Sequence, residues 1–178
     1  MLLGQIIEPV CIDACLPDGS IKAVTFPTEL IQDKEYLVVY FYPADFTSIC
    51  PTEVLAFHAQ LHEFAELNTA VVAVSCNTAY VHAAWKRTPK NEGGLGTSIN
   101  HPILADPCRS LAERLDVLIP GRNLATRGLF VLNQSGEVLY ESRHDTKTAR
   151  SVSEVISLIR DLSEVLNTTG KRVRVDSI

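Results

Sequence analysis

Leu37-Val38-Val39-Tyr40-Phe41-Tyr42 is apolar at every position, and Pro43 ends it. A strand with one wet face alternates, so a run apolar on both faces reads as a central strand covered on each side by helices. From Cys50 the apolar residues Val54, Phe57, Leu61, Phe64 and Leu67 recur at helical spacing, with Glu53, His58, Gln60, His62 and Glu63 off that stripe. Pro51 falls in the first turn, where its missing N–H costs nothing, and Glu53 falls near the positive end of the helix dipole. Tyr42 to Glu53 is therefore a strand-to-helix corner, the place where an α/β protein displays reactive atoms, and what it displays is a thiol.

The rest of the chain repeats the alternation of strands and helices. Cys11-Ile12-Asp13-Ala14-Cys15 and Ile21-Lys22-Ala23-Val24 flank the turn cluster Pro17-Asp18-Gly19-Ser20, which predicts an N-terminal hairpin. Further buried strands are expected at Ala70–Ser75 and Pro102–Asp106, with helices at Thr78–Arg87 and Ser110–Leu115 and a flexible loop at Gly93–Thr97. Gly128–Leu132 and Glu137–Glu141 around Asn133-Gln134-Ser135-Gly136 predict an antiparallel hairpin. A last helix is expected from Ser151 to Leu166, with Ser151 and Glu154 in a capping-box spacing. The chain reads as one α/β unit over residues 1–166, followed by an arm at 167–178.

Bulk properties limit what the thiol can be. With 178 residues, 46% of them hydrophobic, the chain has room for one well-buried domain. A formal net charge of -5 argues against nonspecific nucleic-acid binding, which needs a basic face to replace phosphate counterions. No apolar run approaches the roughly 18 residues of a membrane span, and the N-terminus lacks the basic and apolar regions of a signal peptide. Five irregularly spaced cysteines without a Cys-x-x-Cys pair resemble neither a disulfide framework nor a zinc site, so a reducing cytoplasm is the expected location. The sequons at Asn133 and Asn167 then carry no meaning.

At the corner, backbone N–H groups and the helix dipole favour a thiolate over a thiol, and a nearby arginine would add to this. Ionisation alone does not make a fast nucleophile, because nucleophilicity falls with pKa along a Brønsted slope of about 0.4–0.5. Donors that hold the electrophile must supply the rest. Thr47 offers a hydroxyl one helical turn before Cys50, Pro43 can shield the sulfur from water, and Arg127 can reach the same pocket from another strand. Each has a plainer reading: an isolated cysteine is usually packing, and an isolated arginine usually a surface charge. His58 and His62 at i,i+4 spacing lack a third ligand and read as an exposed helix face, so no metal is expected. Gly93-Gly94-Leu95-Gly96 lacks the Lys-Ser/Thr of a phosphate loop, and Trp85 reads as core.

Asp45-Phe46-Thr47-Ser48-Ile49-Cys50-Pro51-Thr52-Glu53 closely resembles the peroxidatic motif of the peroxiredoxins, in their typical two-cysteine subfamily of alkyl hydroperoxide reductase C and thioredoxin peroxidases. The resemblance extends through Ala73-Val74-Ser75, Ala84-Trp85, Gly93–Gly96, Leu104–Pro107, Arg127–Phe130, Gly136 and Arg150-Ser151-Val152, nearly the whole chain to residue 166. It implies a thioredoxin-like fold: a central mixed β-sheet flanked by helices, with an N-terminal β-hairpin and a C-terminal arm. It implies reduction of hydrogen peroxide and organic hydroperoxides, in antioxidant defence and redox homeostasis. By position, Cys50 is the peroxidatic nucleophile, Pro43, Thr47 and Arg127 complete its pocket, and Glu53 and Arg150 support the arginine. No metal or organic cofactor is implied; a thiol reductant is, either a thioredoxin-like protein or a small thiol. So is a homodimer or a decamer.

The chain departs from the family in the arm. Typical members carry a resolving cysteine in a Val-Cys-Pro stretch, whereas the corresponding region here reads Gly170-Lys171-Arg172-Val173-Arg174-Val175. Three routes stay open: an external thiol reduces the Cys50 sulfenic acid; one of Cys11, Cys15, Cys76 and Cys108 resolves it, with Cys76 and Cys108 the leading candidates; or the C-terminus is altered. For all four of those cysteines packing is the plainer expectation. A ring-forming holdase chaperone, or a redox-relay or peroxide-sensing protein, is the alternative function.

Overall fold

The computed structural model describes residues 1–96 and 99–169. Thr97 of the expected glycine-rich loop, and the expected arm from residue 170 onward, lie outside the described residues. The strands are β1 (Val10–Cys15), β2 (Ile21–Phe26), β3 (Tyr36–Phe41), β4 (Thr69–Ser75), β5 (Ile103–Ala105), β6 (Arg127–Asn133) and β7 (Val138–His144). The α-helices are α1 (Thr28–Ile31), α2 (Cys50–Ala59), α3 (Leu61–Glu66), α4 (Ala79–Arg87), α5 (Ser110–Arg114) and α6 (Val152–Thr169). One mixed sheet has the order β2-β1-β5-β4-β3-β6-β7, parallel at β3/β4 and β4/β5 and antiparallel elsewhere.

Every residue of β3 is buried, as a strand apolar on both faces requires. Side chains on a strand alternate, so β3 feeds two cores. Tyr36, Val38, Tyr40 and Tyr42 join Val54 and Phe57 of α2, Phe64 of α3 and Val155, Ile156 and Ile159 of α6 on one face. Leu37, Val39 and Phe41 join Val72, Val74, Leu104, Leu111 and Phe130 on the other.

The helical stripe from Cys50 to Leu67 forms two helices rather than one. The chain breaks at Gln60, whose φ of -106° and ψ of 12° leave the helical basin. The N-terminal hairpin pairs Val10 with Phe26 through Cys15 with Ile21, as its turn cluster predicts. Thr78 caps α4 by accepting from Val81 N at 3.4 Å. Ser151 caps α6 in the same way through Glu154 N, while its hydroxyl also meets Ser153 Oγ. The last helix runs three residues beyond Leu166.

The glycine run is pinned where the sequence suggested flexibility. Trp85 Nε1 donates to Gly93 O at 3.1 Å and Leu95 N to Trp85 O at 3.0 Å. A Cβ on Gly94 would lie 1.9 Å from Thr88 O, so only glycine fits that crossing. Among the described residues no helix is long and apolar enough to cross a membrane.

Candidate active site

The eight residues between β3 and α2 deliver Cys50 to the first position of α2, where only 1% of its surface is exposed. The sulfur's partner comes from the start of β6: Arg127 Nη2 donates to Cys50 Sγ at 3.5 Å. Strand pairing explains this reach. β6 lies beside β3, with Leu129 opposite Tyr40, so Arg127 stands at the end of the strands where β3 releases the chain toward Cys50.

Arg127 is held on three sides. Nη1 donates to Glu53 Oε2 at 2.7 Å, and Nε and Nη2 donate to Thr146 O at 3.2 and 3.1 Å. Glu53 lies one helical turn after Cys50 and is itself held by Arg150. Arg150 Nε and backbone N donate to Glu53 Oε1 at 2.7 and 3.0 Å, and Nη2 donates to Oε2 at 2.8 Å. Arg150 also donates to Gly128 O and Phe41 O, and its guanidinium lies 5.4 Å from the centre of the Tyr40 ring.

These charges are buried: side-chain exposures are 0% for Glu53, 1% for Arg127 and 3% for Arg150. Burial pushes the Glu53 carboxyl up, but hydrogen bonds and charge from Arg150, aided by Arg127, outweigh it and hold the group below the usual carboxylate range. Two guanidinium charges face one carboxylate, leaving a surplus positive charge beside the Cys50 sulfur. The same surplus favours the negative charge that builds on an oxygen displaced when the sulfur attacks the atom bound to it.

The structure thus joins Cys50, Arg127, Glu53 and Arg150 in one continuous contact chain. Pro43 is buried in the loop behind Cys50, while Thr47 is exposed and its hydroxyl donates to Ala44 O at 3.0 Å. Cys76 belongs to the core on the opposite sheet face from Cys50. Cys15 is buried on β1, as packing requires, whereas Cys11 and Cys108 are exposed, against the packing expected of them. All five cysteines are free thiols. Burial pushes the Cys15 thiol up despite Lys86 and Arg87.

A second buried network, not foreseen from the sequence, anchors the same loop. Asp45 Oδ2 meets His82 Nδ1 at 2.7 Å, Tyr42 Oη donates to Asp45 Oδ1 at 2.7 Å, and Asp45 N donates to Asn77 Oδ1 at 3.0 Å. His82 Nε2 lies 3.2 Å from Leu104 O, so the loop is tied through α4 to β5. The spacing of Asp45 and His82 gives no periodic signal, since the pair closes across a 37-residue separation. Of the two histidines with metal-like spacing, His58 accepts from Asn100 N at 3.2 Å.

Residues 7–141 match the AhpC/TSA family, a span that includes Cys50 and Arg127 but stops short of Arg150. The chain is 35% identical over 156 residues to a chloroplastic 2-Cys peroxiredoxin BAS1 of Hordeum vulgare, covering 84% of this chain and 73% of that protein. It is 41% identical over 126 residues to a mitochondrial thioredoxin-dependent peroxide reductase of Homo sapiens, covering 71% of this chain and about half (49%) of that protein. Among solved structures, reduced 2-Cys peroxiredoxin of Plasmodium vivax superposes with a TM-score of 0.87 at 29% identity, over 99% of this chain and 89% of that one. AhpC of Enterococcus faecalis superposes with a TM-score of 0.84 at 28% identity, over 98% and 99%.

Proposed function

Because the chain belongs to the AhpC/TSA family, we propose that it is a thiol-dependent peroxidase that reduces hydrogen peroxide and organic hydroperoxides through Cys50. The observation that carries this reading is the 3.5 Å contact from Arg127 to the Cys50 sulfur, backed by the buried Glu53 and Arg150. The Cys50 thiolate attacks one peroxide oxygen, the O–O bond breaks, and the second oxygen leaves as water or alcohol after taking a proton. Arg127 offers donors to the reacting oxygens, Thr47 Oγ1 turns from Ala44 O toward them, and Pro43 keeps bulk water off the sulfur. Glu53 and Arg150 act through Arg127 by fixing its guanidinium plane.

The resulting sulfenic acid is reduced by an external thiol. A first thiol condenses with it, forming a mixed disulfide and water; a second displaces Cys50 and leaves as the external disulfide. Two facts favour this route: the region that carries a resolving cysteine in typical peroxiredoxins reads Gly170–Val175 without one, and Cys76 faces the other core. The names of the relatives include a thioredoxin-dependent enzyme, which supports a thioredoxin-like protein among the reductants. The enzyme works as a homodimer or decamer in a reducing cytoplasm, where its cysteines stay free. β7 ends the described sheet; Gly4 and Gln5 bond Val138 at its start, and the rest of its outer edge offers a place for a second copy to pair.

The test is peroxide consumption by wild type and Cys50→Ser with thioredoxin, glutaredoxin and small thiols as reductants. Turnover by wild type with loss of at least 1,000-fold in the variant is expected, by analogy with loss of an essential nucleophile (~10³ or more). A variant as active as wild type refutes the reading.

A further inference from the structure

β4 and β5 run parallel with Val74 opposite Leu104 and Ser75 opposite Ala105, and Asp106 N extends the ladder by donating to Ser75 O at 2.9 Å. Cys76 follows directly on Ser75, one residue past the last paired position of β4. It shares the sheet face of Val74 and Leu104 and is 5% exposed. After Asp106 the chain turns: Arg109 N donates to Asp106 O at 2.9 Å, with Arg109 at a φ of 64°. Cys108 is the third residue of that closed turn and is exposed. Asp106 fixes the turn to α5 by accepting from Ala112 N at 2.7 Å and Ser110 Oγ at 3.3 Å.

The charged groups at the two ends of that turn act on the Cys76 thiol. Burial pushes the Cys76 thiol up to about 11, the Asp106 carboxylate adds to the rise, and the Arg109 guanidinium opposes it. Both residues stand within two positions of Cys108, one on each side. Paired strands lie about 4.8 Å apart and a turn keeps its ends within about 7 Å, so the ladder's end brings Cys76 and Cys108 to one neighbourhood. A disulfide needs a Cα spacing of about 4.4–6.8 Å, so closure requires the exposed turn to bring Cys108 within that span of Cys76.

We propose that Cys76 and Cys108 form a second redox centre, a dithiol that closes to a disulfide independently of Cys50. A hydroperoxide supplies the oxidation. The exposed Cys108 sulfur takes one oxygen, giving a sulfenic acid and releasing water or alcohol. The Cys76 sulfur then attacks the Cys108 sulfur: an S–S bond forms, the S–O bond breaks, and the hydroxyl leaves as water with the Cys76 proton. One peroxide is reduced by two electrons and one dithiol is oxidised by two. Because Cys76 is held as the thiol, closure is slow at neutral pH and speeds up as pH rises. The disulfide would staple the end of β4 to the turn before α5, next to the helix that buries Leu111 and Ala112. It records sustained peroxide exposure on a face that the peroxidase site does not use.

The test uses the full chain carrying Cys50→Ser, so that its outcome does not depend on the peroxidase reading. The protein is treated with hydrogen peroxide at pH 7 and pH 8, denatured in N-ethylmaleimide, and examined by intact mass and peptide mapping. The expected result is a monomer that has lost two hydrogens, that labels at two of its four remaining cysteines, and that yields a linked Cys76–Cys108 peptide sooner at pH 8. Adding Cys108→Ser, a change in an exposed turn, should abolish the loss of two hydrogens. Stable oxygen addition at Cys108 with Cys76 fully alkylated overturns the proposal. So does a covalent dimer, a link to Cys11 or Cys15, or no change under excess peroxide.

Discussion

His101 lets a buried proton be weighed. It is 2% exposed, Tyr40 Oη lies 2.7 Å from its Nε2, and its Nδ1 has no hydrogen-bond partner. Burial, with smaller contributions from His58 and Lys86, lowers its pKa from 6.5 to about 3. The folded protein therefore keeps His101 neutral while the unfolded chain binds a proton below pH 6.5, so stability falls as pH falls. Between pH 7 and pH 5 the linked loss is about 2 kcal/mol, at about 1.36 kcal/mol per unit of pH well below the unfolded pKa. His101→Gln keeps a hydrogen-bonding partner for the Tyr40 hydroxyl and removes the titration. Urea unfolding at both pH values should show wild type losing about 2 kcal/mol more than the variant over that interval, with equal slopes against urea. Parallel losses in the two proteins would refute the reasoning, because every other titrating group is common to both.

Three further outcomes follow from the buried charges. Glu53→Gln leaves two guanidinium groups facing a neutral amide; urea unfolding should register a loss of about 3–5 kcal/mol, together with a drop in peroxide turnover. Arg127→Lys keeps the charge but not the fork that spans Glu53, Thr146 O and the sulfur, so peroxide turnover per enzyme should fall about 10²–10³-fold. Asp45→Asn removes the carboxylate shared by His82 and Tyr42, and thermal melting should show a loss of about 2 kcal/mol or more, with loop 43–49 cut sooner by protease.

Much of this architecture is legible in the sequence. β3 announced itself because a strand buried on both faces needs an unbroken apolar run, and the hairpins announced themselves through turn residues. The break at Gln60 was not legible, since Leu61, Phe64 and Leu67 continue the stripe of α2 across it and only the backbone reveals the change of direction. At the site, local spacing placed Pro43, Thr47 and Cys50 in one loop. Arg127, Glu53 and Arg150 were named by resemblance, but their geometry depends on β6 lying beside β3 and on the entry to α6, which spacing alone does not encode. The pair Asp45–His82 and the pair Tyr40–His101 went unseen because each joins residues far apart in sequence without a repeating pattern. Lys86 belongs with them: its ammonium donates to Leu16 O at 2.7 Å and Pro17 O at 3.3 Å, in the turn after β1, about 70 residues earlier in the chain.

The central claim is that the first oxygen goes to Cys50, and accessibility argues the other way: Cys50 is 1% exposed, whereas Cys11 and Cys108 are exposed. Treating the reduced protein with less than one equivalent of hydrogen peroxide in the presence of dimedone, then mapping the adduct, sets chemistry against exposure. The adduct should sit on Cys50 and vanish in Cys50→Ser at the same peroxide dose. An adduct that appears first on Cys11 or Cys108, with Cys50 unmodified, would contradict the account.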